Sequence, residues 1–105
     1  MERDKVLGLL GLANKAGKCV SGEFSTEKSI QSQRAKLVIL SADASENTKK
    51  KFQDKCNYYQ VPFRCYGDKE SLGHSMGKGM RTSLAICDQG FAKALLNLLK
   101  TEENH

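Results

Sequence analysis

Apolar positions recur along the chain with two different spacings, and the alternation between them lays out the expected elements. Val6, Leu9, Leu10 and Ala13 share one face at 3.6-residue spacing, which predicts a first helix. Gly17 suits the left-handed position that ends it. A short extended piece at 19–21 follows, and Gly22 then opens a second helix running to about residue 32. That helix is weakly amphipathic, with Thr26 and Ile30 one turn apart and Phe24 near its start. The uninterrupted run LVIL within 36–41 reads as a strand buried on both faces.

Ser45 is placed to cap a third helix, with Glu46 at its positive end and Phe52, Cys56 and Tyr59 as an i, i+4, i+7 stripe. Val61 and Pro62 break that pattern, and FRCY at 63–66 alternates in polarity as a strand does. Asp68 can cap a short fourth helix carrying Leu72 and Met76. GKGMR at 77–81 reads as a loop before a strand at about 82–87. Asp88 can cap the last helix, in which Phe91, Leu95 and Leu98 repeat at helical spacing. Helices alternating with short buried strands imply an α/β fold, a small sheet with helices on both faces. No repeat or linker divides the chain, so a single domain is expected over 1–100, followed by a polar, frayed tail at 101–105.

Composition narrows the function classes. The chain has 105 residues, of which 39% are apolar, and a formal charge of +5 that favours polyanionic partners. The N-terminus is charged at once, with no secretory cleavage site, and no apolar run reaches membrane length, so a cytoplasmic protein with no membrane partner is expected. Cys19, Cys56, Cys65 and Cys87 are widely separated, with no CxxC pair. They read as small core hydrophobes in a reducing compartment, Cys65 and Cys87 within strands.

Enzyme readings find little support. GLANKAGKC at 11–19 looks like a phosphate loop, but five residues separate its glycines and Cys19 replaces the magnesium-holding Ser or Thr. It also ends a helix, whereas a phosphate loop begins one. GHSMGKGM fails for similar reasons. Nucleophilic catalysis needs a base beside its nucleophile, yet only His74 and the terminal His105 exist and the carboxylates are scattered. A non-enzymatic protein without metal or cofactor is expected, and a small-molecule or redox α/β protein is the weakest alternative.

What remains is a set of glycine-marked turns interleaved with cations: SGEFSTEK at 21–28, SADASENTKKK at 41–51 and GKGMR at 77–81. If all three gather at one end of the sheet, backbone N–H groups and cations converge on a rim suited to phosphates and an exposed base.

Four segments carry a family resemblance: GLANKAGKCVSGE, RAKLVILSADASENTKKKFQDKCNYYQVPF, LGHSMGKGMR and DQGFAKALLNLL. Through them the chain resembles, nearly end to end, the bacterial YlxQ-like members of the ribosomal L-seven-Ae / L-thirty-e superfamily. The resemblance implies a three-layer α/β/α sandwich with a mixed four-stranded sheet, and binding to RNA kink-turns. The family motif at the second helix, Gly-x-Asn-Glu-x-x-Lys, is matched here by Gly22 and Lys28, while Phe24 and Ser25 stand where Asn and Glu read guanine edges. An Asn can hydrogen-bond a base edge and a Phe cannot. Glu23 could supply the displaced carboxylate; Phe24 could stack on a base or be core at the helix start.

The resemblance also places Asp43, Ala44 and Ser45 in the wall of the site, with Lys49 one turn further on, and adds the later loop of Lys78, Gly79, Met80 and Arg81. There Met80 would cover an unstacked nucleotide and Lys78 and Arg81 would neutralise phosphate; the competing reading is a solvated basic loop. Lys50 and Lys51 are expected to add only general positive charge. The expected partner is structured, kink-turn-like RNA, ribosomal RNA among the candidates, bound by a monomer associated with ribosomes or translation. The alternative is a protein-interaction adaptor, on the ribosome or a translation factor, whose RNA site has degenerated.

Overall fold

The computed structural model describes the backbone of residues 4–103, with side chains as far as residue 100. Helix α1 (Lys5–Lys15) is capped by Asp4, whose carboxylate accepts from the Leu7 N–H at 3.0 Å, and buries Val6, Leu10 and Ala13. Strand β1 (Cys19–Ser21) leads through Gly22 into α2 (Glu23–Gln31), and β2 (Leu37–Leu40) follows with every side chain buried. Ser45 caps α3 (Glu46–Tyr59) by accepting from the Thr48 N–H. Strand β3 (Phe63–Cys65) precedes α4 (Lys69–Ser75), where Asp68 and Ser71 form a reciprocal capping box. Strand β4 (Ser83–Ile86) is buried throughout and hands over to α5 (Gln89–Glu103), whose Phe91 N–H donates to the Asp88 carboxylate at 2.9 Å.

The sheet order is β1-β4-β2-β3, with β2 and β3 parallel and the other pairs antiparallel. Alternation along β2 and β4 divides the core. Leu37, Ile39, Leu84 and Ile86 point to the side covered by α1, α4 and α5, where they meet Leu10, Leu72 and Leu95. Val38, Leu40 and Ala85 point to the other side and meet Ile30 of α2 and Phe52 and Cys56 of α3. Two cores on one mixed sheet make the expected three-layer sandwich, and each fully buried large side chain contributes about 1.5–3 kcal/mol.

Three expectations change. The buried ridge of α5 runs through Ala92, Leu95 and Leu99, so Phe91 and Leu98 flank it half-buried. Phe24 is not core: it is 77% exposed, because the buried positions of α2 are Thr26, Ser29 and Ile30 on the opposite side. Cys65 is exposed at the end of an edge strand, beside the first turn of α3, and Cys87 is half-buried just beyond β4. All four thiols are free. Burial, with a smaller contribution from neighbouring Cys87, pushes the Cys19 thiol up to about 12, and burial pushes Cys56 to about 11. Neither is a nucleophile at neutral pH. Helix α5 continues to Glu103, and residues 104 and 105 of the polar tail lie outside the described residues.

Candidate nucleic-acid interface

The topology decides whether the three glycine-marked turns meet. Strands β1, β2 and β3 end where β4 begins, because β4 runs antiparallel to β1 and β2 while β3 is parallel to β2. Main-chain bonds close that end: Gly22 N–H donates to the Ser83 carbonyl at 3.0 Å, and Ser41 N–H to the Thr82 carbonyl at 2.8 Å. The Ala42 N–H donates to the Gly67 carbonyl at 2.8 Å. All three turns therefore form one rim.

Gly22 enters α2 with φ 97° and ψ 152°, a conformation open essentially to glycine alone. Its carbonyl still accepts the first helical bond, from the Thr26 N–H. The chain thus turns from β1 into α2 without a linker, and Glu23, Phe24 and Ser25 are exposed in the first turn. One turn on, the Lys28 ammonium lies 5.9 Å from the centre of the Phe24 ring, within cation–π reach. The pair presents an exposed ring with a cation beside it.

The 77–81 loop is pinned to α4. Lys78 N–H donates to the Gly73 carbonyl at 2.9 Å and Arg81 N–H to the Lys69 carbonyl at 3.0 Å. Arg81 reaches across to β1, donating from Nε to the Ser21 hydroxyl at 3.2 Å and from Nη1 to the Met80 carbonyl at 3.0 Å. Lys78 and Gly79 are exposed, and the Met80 side chain is 63% exposed. Between this loop and α2 lies a recess of about 360 Å³, lined by Ser21, Gly22, Glu23, Thr48, Met80 and Arg81 and floored by Thr82 and Ser83. The Ser83 hydroxyl is buried there without a hydrogen-bond partner among the described residues.

The side chains of the 41–51 turn are largely taken up within the protein. Ala44 is buried in the α2/α3 core, so its side chain cannot reach a ligand. The Asp43 carboxylate accepts from the Lys69 N–H at 3.2 Å, tying the turn to the start of α4. Ser45 is committed to its cap, with its hydroxyl also donating to the Thr48 hydroxyl at 2.9 Å. Lys49 is mostly covered and lies 3.8 Å from Glu46. Lys51 is no bystander: its ammonium pairs with Glu27 and stands 3.7 Å from Glu23, while Lys55 reaches Glu27 at 3.4 Å. The Lys51 hydrogen bond holds the Glu27 carboxyl below the usual carboxylate range, so this α2–α3 clamp stays ionised into acid.

Acids therefore answer many of the rim's cations, and exposed Phe24, Met80, Lys28 and Lys78 stand out as contact groups that no acid pairs with among the described residues. Thr48 was not legible as a site residue, since it announces itself only as the third residue after a cap. A wider concavity than that recess, about 840 Å³, lies elsewhere, between α1 and α4. Its Asp4 and Asp68 carboxylates are helix caps, and their charge repels phosphate. Among the described residues no His, Cys, Asp and Glu cluster could hold a metal ion, and no helix is long and apolar enough to cross a membrane.

Comparison with known proteins places these features. The family model for the ribosomal protein L7Ae/L30e/S12e/Gadd45 family matches residues 4–96. The chain is 55% identical over 91 residues to the RNA-binding protein YlxQ of Bacillus subtilis, spanning 87% of this chain and 91% of that one. It is 43% identical over 99 residues to the RNA-binding protein YlxQ of Enterococcus faecium, spanning 93% and 94%. A solved structure described as a protein with unknown function from Bacillus halodurans C superposes with a TM-score of 0.90 at 41% identity, covering 93% of this chain and 99% of that one.

Proposed function

This chain belongs to the ribosomal protein L7Ae/L30e/S12e/Gadd45 family, and on that premise we propose that it binds structured RNA at the three-loop rim, docking on a kink-turn-like bend. The observation that carries the reading is the convergence of the α2 entrance and the 77–81 loop around one recess. There an exposed ring, an exposed thioether and several cations face the same solvent. RNA with unstacked bases needs that combination: apolar or aromatic surface for base faces, cations for phosphates, and backbone close enough to touch.

In this reading Phe24 stacks on an exposed base of the kink, in place of the edge-reading Asn of the family motif. Met80 covers an unstacked nucleotide over the recess. Lys28, Lys78 and Arg81 neutralise phosphates, with Arg81 held in place by Ser21. Ser45 and Asp43 shape the wall, and Glu23 lies within reach of a base edge. Two curated relatives with RNA-binding in their names support the partner class. The protein acts without catalysis, in the cytoplasm and in association with ribosomes or translation.

Lys28→Ala is expected to weaken binding to a kink-turn RNA by about 1 kcal/mol or more, at least roughly fivefold, in line with a lost charged hydrogen bond. Filter binding or fluorescence anisotropy at fixed salt reads the change. Unchanged affinity would remove Lys28 from the interface and favour the adaptor alternative.

A further inference from the structure

The opposite end of the sheet carries a second concentration of positive charge, arranged differently. Lys18 and Lys36 flank Cys87 where β1 and β2 begin and β4 ends: Cys87 N–H donates to the Lys18 carbonyl and Lys36 N–H to the Ile86 carbonyl, each at 2.7 Å. The Cys87 thiol between them donates to the Ser29 hydroxyl of α2 at 3.8 Å, so the two lysines flank a position at the α2 side of the sheet. Arg34, just past the end of α2, joins them there. All three are exposed, and none makes an ion pair among the described residues. Asp88, next to Cys87 in the chain, is committed to capping α5.

Beside these cations lies a recess of about 280 Å³ lined by Gln33, Lys36, Tyr59, Gln60, Pro62 and Gln89. Three glutamines and a tyrosine are thus among its lining residues. Gln33 and Gln60 are also the two non-glycine residues with positive φ among the described residues, at 63° and 58°. Glycine is the favoured residue at such positions after a helix, so glutamine there retains amide groups at a conformational cost. Tyr58, 81% exposed, forms a T-shaped pair with Tyr59, ring centres 4.9 Å apart. Lys93 lies between Gln89 and Leu96 on the α5 face that lines the same recess.

We infer that this pole is a second, single-stranded RNA contact surface: Lys18, Arg34 and Lys36 hold phosphates, Tyr58 stacks on a base, and the glutamines bond base edges. The protein then joins two RNA segments, one at each end of its sheet. Charge alone would accept any polyanion; the exposed ring and the amide trio are what favour RNA over an acidic protein. The inference rests on the RNA-binding reading of the chain, but not on the residues of the rim.

The test uses the whole chain, saturated with kink-turn RNA and then titrated with a labelled short oligouridylate. The wild type is expected to bind the oligonucleotide while still holding the first RNA. The Lys18→Ala/Arg34→Ala/Lys36→Ala variant is expected to bind it at least about tenfold more weakly, with kink-turn affinity changed less than about twofold, because phosphate contacts dominate such affinities. Gln60→Gly carries an opposed pair of expectations, a higher melting temperature from the relaxed backbone and weaker oligouridylate binding. Failure of the loaded wild type to bind oligouridylate, unaltered binding in the triple variant, or equal binding of polyglutamate would each overturn the assignment. If kink-turn RNA does not bind but the oligonucleotide does, and the triple variant loses it, the second surface stands and the rim reading falls.

Discussion

Gly73→Ala is expected to weaken binding of kink-turn RNA by at least about tenfold while leaving the helical and strand content intact. The reason is a crossing point. A Cβ at position 73 would lie 1.7 Å from the Gly79 carbonyl oxygen, 2.6 Å from its carbon and 3.0 Å from the Met80 Cα. These are backbone atoms, so no rotamer change relieves the contact. The loop cannot retreat freely either, since the Lys78 N–H is bonded to the Gly73 carbonyl and the Arg81 N–H to that of Lys69. Alanine favours a helix interior over glycine by about 1 kcal/mol, but forcing a methyl group into closed packing costs about 1–3 kcal/mol. The substitution should therefore lower the melting temperature modestly and push the 77–81 loop off α4. Lys78, Met80 and Arg81 move with it, although none has been altered. Affinity and thermal melting measured on the same sample separate the two effects. Full affinity in a folded Gly73→Ala protein would mean that the loop is not part of the interface.

The second large effect is expected at Phe24. Truncation to alanine should cost about 1–3 kcal/mol of binding, roughly 5- to 150-fold, the range for removing an aromatic ring that stacks on a base. Stability should stay within about 0.5 kcal/mol, because the ring is 77% exposed and its described contact is the Lys28 ammonium. Phe24→Trp should bind at least as well as the wild type, whereas Phe24→Leu should behave like Phe24→Ala. That contrast identifies stacking, since leucine retains apolar area without a π face. Equal affinity for wild type and Phe24→Ala would place the ring outside the interface and leave the departure from the Asn-Glu pattern without a compensating contact.

Much of the fold was legible because its signals are local. The uninterrupted LVIL run marked a strand buried on both faces, and Ser45, Asp68 and Asp88 each cap the helix that follows them. The convergence of the turns was legible only as a condition. Whether β1 lies beside β4, and in which direction, depends on pairings more than sixty residues apart that no local pattern encodes. The same limit hid the crossing of Gly73 under Gly79, which exists only once α4 and the loop are packed.

The surroundings of side chains in the 41–51 turn were hidden from the sequence for a related reason. A small residue in a polar turn looks exposed, yet β2 carries Ala44 straight into the α2/α3 core. Lys51 looks like surplus charge until α2 brings Glu23 and Glu27 against it. Phe24 was ambiguous because one apolar residue at a helix start fixes no face; only the burial of Thr26 and Ile30 on the other side decides it.

The central claim is recognition of a bend in RNA, rather than attraction of a chain with formal charge +5 to any polyanion. The direct test is the affinity of the whole protein for a kink-turn RNA and for a straight duplex of equal length, titrated over rising salt. Both affinities should fall as counterions are released, because both complexes neutralise phosphates. The kink-turn should remain tighter by at least about tenfold, and its advantage should persist at high salt, where base stacking and recess contacts survive screening. Equal affinity for the two RNAs at every salt concentration would contradict the account.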